Sequence, residues 1–88
     1  MAIANVAERV KNCVLAQLDA ANSQVDRGKV VPTAGLVDDL LFDNLDMEEY
    51  RALLETEFGI DSNIPADGVQ NGWTLNDWST YITANGQK

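Results

Sequence analysis

Apolar residues recur at helical spacing near the start of the chain. Ile3, Val6, Ala7, Val10, Cys13, Val14 and Leu18 step mostly by three and four, which puts them on one stripe of an amphipathic helix. Lys11 and Gln17 fall off that stripe. The pattern predicts a helix over about 3–18. Periodicity is then lost. Residues 19–42 contain Asn22-Ser23, Asp26-Arg27-Gly28 and Pro32-Thr33-Ala34-Gly35, groups that turn the chain. Val25, Val30, Val31 and Leu36 are the expected anchors of this connector. A connector of that length in a small domain asks for a packing or functional reason.

Helical spacing returns with Met47, Tyr50, Leu54 and Phe58, and Leu53 widens that stripe. Asp43 and Asn44 can each cap the start, because a side-chain oxygen accepts from a free backbone N–H. Asp46 places negative charge in the first turn, where the helix dipole favours it. Gly59 is a natural stop. The predicted helix covers about 44–58. Leu45 and Ala52 lie on its other side, among Glu48, Glu49 and Glu55. Pro65 can open a short helical turn over about 65–71. Gly68 and Gly72 argue against a longer one. A last helix is predicted over about 75–84, opened by a Thr74/Asp77 capping pair. It carries Leu75, Trp78 and Ile82 on one face and Tyr81 beside them. The tail from Thr83 is polar and expected to fray. One all-α domain over 1–88, with three main helices and one short one, is the natural architecture.

Charge adds a second pattern. The chain has 88 residues and a net charge of −8. Nine acids fall within residues 36–61: Asp38, Asp39, Asp43, Asp46, Glu48, Glu49, Glu55, Glu57 and Asp61. Arg51 is the single base there. That segment accounts for the whole net charge. Such a face repels nucleic acid and attracts a basic protein surface, although acidic faces also simply keep small domains soluble.

Candidate chemistry is sparse. Histidine is absent, which removes a His-based metal site, general base or triad. The run Asp61 to Gly68 does not keep calcium-loop register, and Pro65 interrupts it. Glu48 and Glu49 are sequence neighbours and point differently on a helix, so they form no catalytic dyad. Cys13 is the one cysteine and reads as a core residue. A lone cysteine fits a reducing cytoplasm, and no apolar run is long enough to span a bilayer. An enzyme is not expected.

The segment Leu36-Val37-Asp38-Asp39-Leu40-Leu41-Phe42-Asp43-Asn44-Leu45-Asp46, continuing through the acidic helix to Glu57-Phe58-Gly59-Ile60, resembles the central segment of acyl carrier proteins. That segment reads as an acidic pair and Leu, then Gly-x-Asp-Ser-Leu, then an acidic helix ending Glu-Glu-Glu-Phe-Gly. Ile64-Pro65, Thr74-Leu75-Asn76-Asp77, Tyr81-Ile82 and Glu8-Arg9-Val10-Lys11 are similar to other family positions, so the resemblance covers nearly the whole chain. It implies a carrier bundle whose motif serine bears 4′-phosphopantetheine. Here Asn44 stands at that position, where it would serve as a helix cap. No cofactor is therefore expected; 4′-phosphopantetheine would be expected only with serine at 44. Leu41 replaces the family's glycine. Glu48 and Arg51 replace apolar residues that help line the acyl cavity or the partner-facing surface.

The resemblance implies docking on a basic patch through Asp38, Asp39, Asp43, Leu45, Asp46, Glu48, Glu49, Ala52 and Glu55. The expected partner is a fatty-acid or polyketide enzyme, met by a monomer with no direct nucleic-acid or membrane contact. Two alternatives stand beside this binding-module reading. One is a working carrier seen as a Ser-to-Asn variant. The other is an acidic inhibitor that mimics nucleic acid. Trp73 and Trp78 are expected as core filler, with Trp73 as an exposed partner anchor the lesser alternative.

Overall fold

A helix can start only where the backbone can enter it and the freed N–H groups find partners. In the computed structural model, which describes residues 3–60 and 72–88, α1 covers Val6–Ala20. It starts later than the apolar stripe suggests because Asn5 adopts a left-handed backbone, φ 56°, a conformation asparagine tolerates. Ile3 packs on the core from outside the helix. The C-terminus closes through Asn22, φ 53°. Asn22 N–H donates to the Asp19 carbonyl (3.1 Å) and Ser23 N–H to the Leu18 carbonyl (2.9 Å), the paired bonds of a Schellman ending.

After a 3-10 turn at Arg27–Lys29, α2 covers Asn44–Phe58 and α3 covers Leu75–Asn85. The expected short turn at 65–71 lies outside the described residues. The molecule is all-α, with α1 packed on both α2 and α3. Met47, Tyr50, Leu54 and Phe58 of α2 are buried, as are Leu75, Trp78 and Ile82 of α3. An aromatic chain fills the space between those stripes. Phe42 meets Tyr50 edge-on at 5.9 Å, Tyr50 meets Trp78 at 5.3 Å, and Trp78 meets Trp73 at 4.9 Å. Trp78 is core, and Trp73 is half-buried against it.

Three inside–outside expectations change. Gln17 is buried, not off the stripe, because its amide donates to Asp46 Oδ1 and Glu49 Oε2, both at 3.1 Å. Ala7 is exposed. Val31 is not a full anchor and stays 42% exposed, whereas Val30 and Leu36 are buried. The tail also differs from expectation. Gln87 and Lys88 N–H groups donate to the Phe58 carbonyl at 2.8 and 3.0 Å, so the end of α2 holds it. Arg9 ties this corner together. It pairs with Glu57 at 2.6 Å, donates to the Lys88 carbonyl, and lies over the Phe58 ring.

The connector before α2 is stapled to the start of α3. Leu36 N–H donates to the Trp73 carbonyl (3.2 Å), and Leu75 N–H to the Ala34 carbonyl (3.1 Å). Beyond Gly35 the chain turns tightly. Asp39 and Leu40 N–H groups both donate to the Gly35 carbonyl, and Phe42 N–H donates to the Leu36 carbonyl. Leu40 and Phe42 are both buried. The residue between them takes the bend: Leu41 has φ 60°. A side chain in that region costs about 1–2 kcal/mol that glycine does not incur, partly offset by glycine's freer unfolded chain. Leu41→Gly is expected to raise stability by about 0.5–1 kcal/mol, read as a higher midpoint in thermal or urea unfolding.

Candidate docking face and attachment position

The start of α2 sets the geometry of the candidate site. Asp43, in extended backbone, is the cap. Its Oδ1 accepts from Asp46 N–H at 2.8 Å, and Asp46 Oδ2 accepts from Asp43 N–H at 3.1 Å. This reciprocal pair satisfies two groups at once. Asn44 is therefore not the cap, contrary to the reading from sequence. It is the first helical residue. The sequence held the signal: Asp46 stands three residues after Asp43, whereas Met47, which cannot reciprocate, stands three after Asn44. The Asn44 side chain is exposed at the helix end whose dipole and N–H groups suit an anion.

The acids implied as docking residues divide into two sets. Asp39 Oδ2 accepts from Gly35 N–H at 2.7 Å and holds the turn. Asp43 and Asp46 cap each other, while Asp46 and Glu49 also receive the buried Gln17 amide. These four carboxylates bind the chain's own groups. Among the described residues, no hydrogen bond or ion pair engages the side chains of Asp38, Glu48 or Glu55. At 100° per residue, Leu45, Glu48 and Ala52 share the outward side of α2, and all three are exposed. Leu45 is 61% exposed. Glu48 thus turns to solvent and is no buried polar group. Arg51 is half-buried at the edge of the stripe.

Tyr50 sits at the centre of the core. Its hydroxyl is fully buried without a hydrogen-bond partner among the described residues, as is the Trp78 indole N–H. Burial pushes the Tyr50 hydroxyl pKa well up, and Cys13 adds to it. Cys13 lies between α1 and α2. Burial, then the nearby Glu57 charge, push its pKa up to about 11, against a smaller opposing effect of Arg9. The thiolate is the reactive form. Alkylation of native Cys13 at neutral pH is expected to be roughly a hundredfold slower than in the unfolded chain, from about two units of pKa. Quenched-flow labelling with and without denaturant checks this.

No candidate metal cluster of three or more ligands occurs among the described residues. None of the described helices is long and apolar enough to cross a membrane.

No family model and no solved structure matches the chain. A curated relative does. The chain is 38% identical over 80 residues to an acyl carrier protein of Zymomonas mobilis subsp. mobilis. The match spans 91% of this chain and 94% of the relative.

Proposed function

The chain belongs to the acyl carrier protein family, a family of carriers rather than enzymes, and we propose that it serves there as a cytoplasmic binding module that docks without carrying cargo. The observation that carries this reading is the start of α2. Asn44, which the resemblance aligns with the family's attachment serine, is exposed in the first turn, beside exposed Leu45, Glu48 and Ala52 and a half-buried Glu55. A carboxamide nitrogen is a poor nucleophile because its lone pair is delocalised, and the side chain has no hydroxyl to form a phosphodiester. The cap belongs to Asp43, so the fold tolerates asparagine at 44.

The interior supports the same reading. Tyr50 and Trp78 fill the core between α2 and α3. An acyl chain entering there would have to displace packed aromatic rings, and displacing a well-packed core costs several kcal/mol. The retained face is different. Uncommitted carboxylates around an apolar leucine match a basic patch with an apolar centre. A fatty-acid or polyketide enzyme that recognises carriers is the expected partner.

Competition tests this. Excess chain is expected to inhibit a carrier-dependent ketoacyl synthase of Zymomonas mobilis acting on that organism's own acyl carrier protein. The inhibition should fall as ionic strength rises. The double variant Glu48→Lys, Glu55→Lys should weaken it roughly tenfold. Unchanged synthase kinetics in large excess of the folded chain would refute the docking reading.

A further inference from the structure

Among the described residues, three large apolar side chains are exposed: Val31 at 42%, Leu41 at 69% and Leu45 at 61%. They are not scattered. Leu41 and Leu45 bracket Asp43 and Asn44 in sequence, and Leu41 shares a surface cleft with Val31, two acids, Asp38 and Asp39, and one base, Lys29. Asp38, Asp39, Asp43 and Glu48 are exposed along the same stretch.

Leu41 is the most exposed of the three, and it occupies the backbone position least suited to it. Its φ of 60° would be met without strain by glycine and at lower cost by asparagine. Both would also remove apolar surface from water. Core packing does not explain the leucine, because its side chain points to solvent while Leu40 and Phe42 on either side fill the core. Strain held at one residue together with exposed apolar area points to contact with something outside the chain.

The surrounding charge says what that something is. Carboxylates on this stretch repel anionic lipid surfaces and nucleic acid. They attract a protein surface rimmed by Lys and Arg. Along α2 itself the apolar contact is short. Leu45 is followed at the next turn by Glu48, and Ala52 is small. Leu41 adds exposed apolar area three residues before Asn44, as Leu45 does one residue after it. We propose that Leu41 is an apolar docking anchor, seated with Leu45 in an apolar socket on the basic protein surface that the α2 acids engage. This rests on the docking reading above and adds the residue that fixes how the partner is gripped.

The test is titration of the labelled chain against the same ketoacyl synthase, followed by fluorescence anisotropy. Leu41→Gly and Leu41→Asn are expected to weaken binding about fivefold to tenfold, the effect of truncating a buried interface anchor. Leu41→Met, which keeps apolar bulk, should bind within about twofold of the parent. Leu41→Gly is expected to melt higher than the parent, so weaker binding by it cannot come from misfolding. Parent-like binding by the glycine and asparagine variants, with binding still lost on Glu48→Lys, Glu55→Lys, overturns the anchor and leaves the docking reading standing. No binding by the parent chain itself overturns both.

Discussion

Incubated with coenzyme A, magnesium and a broad-specificity phosphopantetheinyl transferase, the chain is expected to keep its mass, whereas Asn44→Ser gains one phosphopantetheine group. The contrast follows from position and chemistry together. Residue 44 is exposed in the first turn of α2, and Asp43 and Asp46 hold that turn without its help. Serine there would place a hydroxyl at the helix terminus with no change of cap. The substitution should therefore shift stability by less than about 0.5 kcal/mol, and a matched melting curve excludes misfolding as the cause of any failure. A second arm separates attachment from carriage. When the modified Asn44→Ser chain is loaded with a medium-length acyl group, its melting temperature should stay where it was. A ligand raises stability only by binding the native state, and among the described residues packed aromatic rings fill the space between α2 and α3. A clear rise in melting temperature on loading would favour a working carrier over a binding module. A mass gain by the unaltered chain would refute the loss of attachment.

Trp78→Ala is expected to have the largest effect on the fold. Trp78 is fully buried and meets Tyr50, Trp73 and Tyr81 edge-on. Truncating such a side chain costs about 3–5 kcal/mol, transfer and cavity terms together. A domain of this size has roughly 5–15 kcal/mol in all, and small ones lie near the lower end. The variant should lose most of its cooperative melt, seen by circular dichroism. Trp78→Phe should lose much less, because it keeps an aromatic face and removes an indole N–H with no partner among the described residues. Removing an unsatisfied buried donor offsets part of the lost packing. An alanine variant that melts with the parent would show that the aromatic chain does not hold the helices together.

The residues that could be read from sequence are those whose roles are local. Met47, Tyr50, Leu54 and Phe58 repeat at helical spacing, and burial follows from that spacing. Thr74 and Asp77 lie three apart and form the reciprocal cap of α3, at 3.2 and 2.9 Å. Roles set by distant partners were not visible. Gln17 is buried because Asp46 and Glu49 come to it from another helix. Arg9 owes its place to Glu57 and Lys88, which only the folded chain brings near. Leu41 stood out as a departure from a family glycine, but its strained backbone and its exposure depend on Leu40 and Phe42 both turning inward. For the docking face, the sequence supplied the acids but not their division. Asp39, Asp43, Asp46 and Glu49 bind the chain's own groups, whereas no hydrogen bond or ion pair among the described residues engages the side chains of Asp38, Glu48 and Glu55.

That division makes the central claim measurable residue by residue. Nitrogen-15 spectra of the chain, recorded as the ketoacyl synthase is added, should show the largest amide changes at Leu41, Leu45, Glu48, Ala52 and Glu55. Outward-facing residues of α1 and α3, such as Lys11 and Thr80, should be nearly still, and the changes should fade as salt is added. Changes centred on α1 or α3, or none at any ionic strength, would contradict docking through α2.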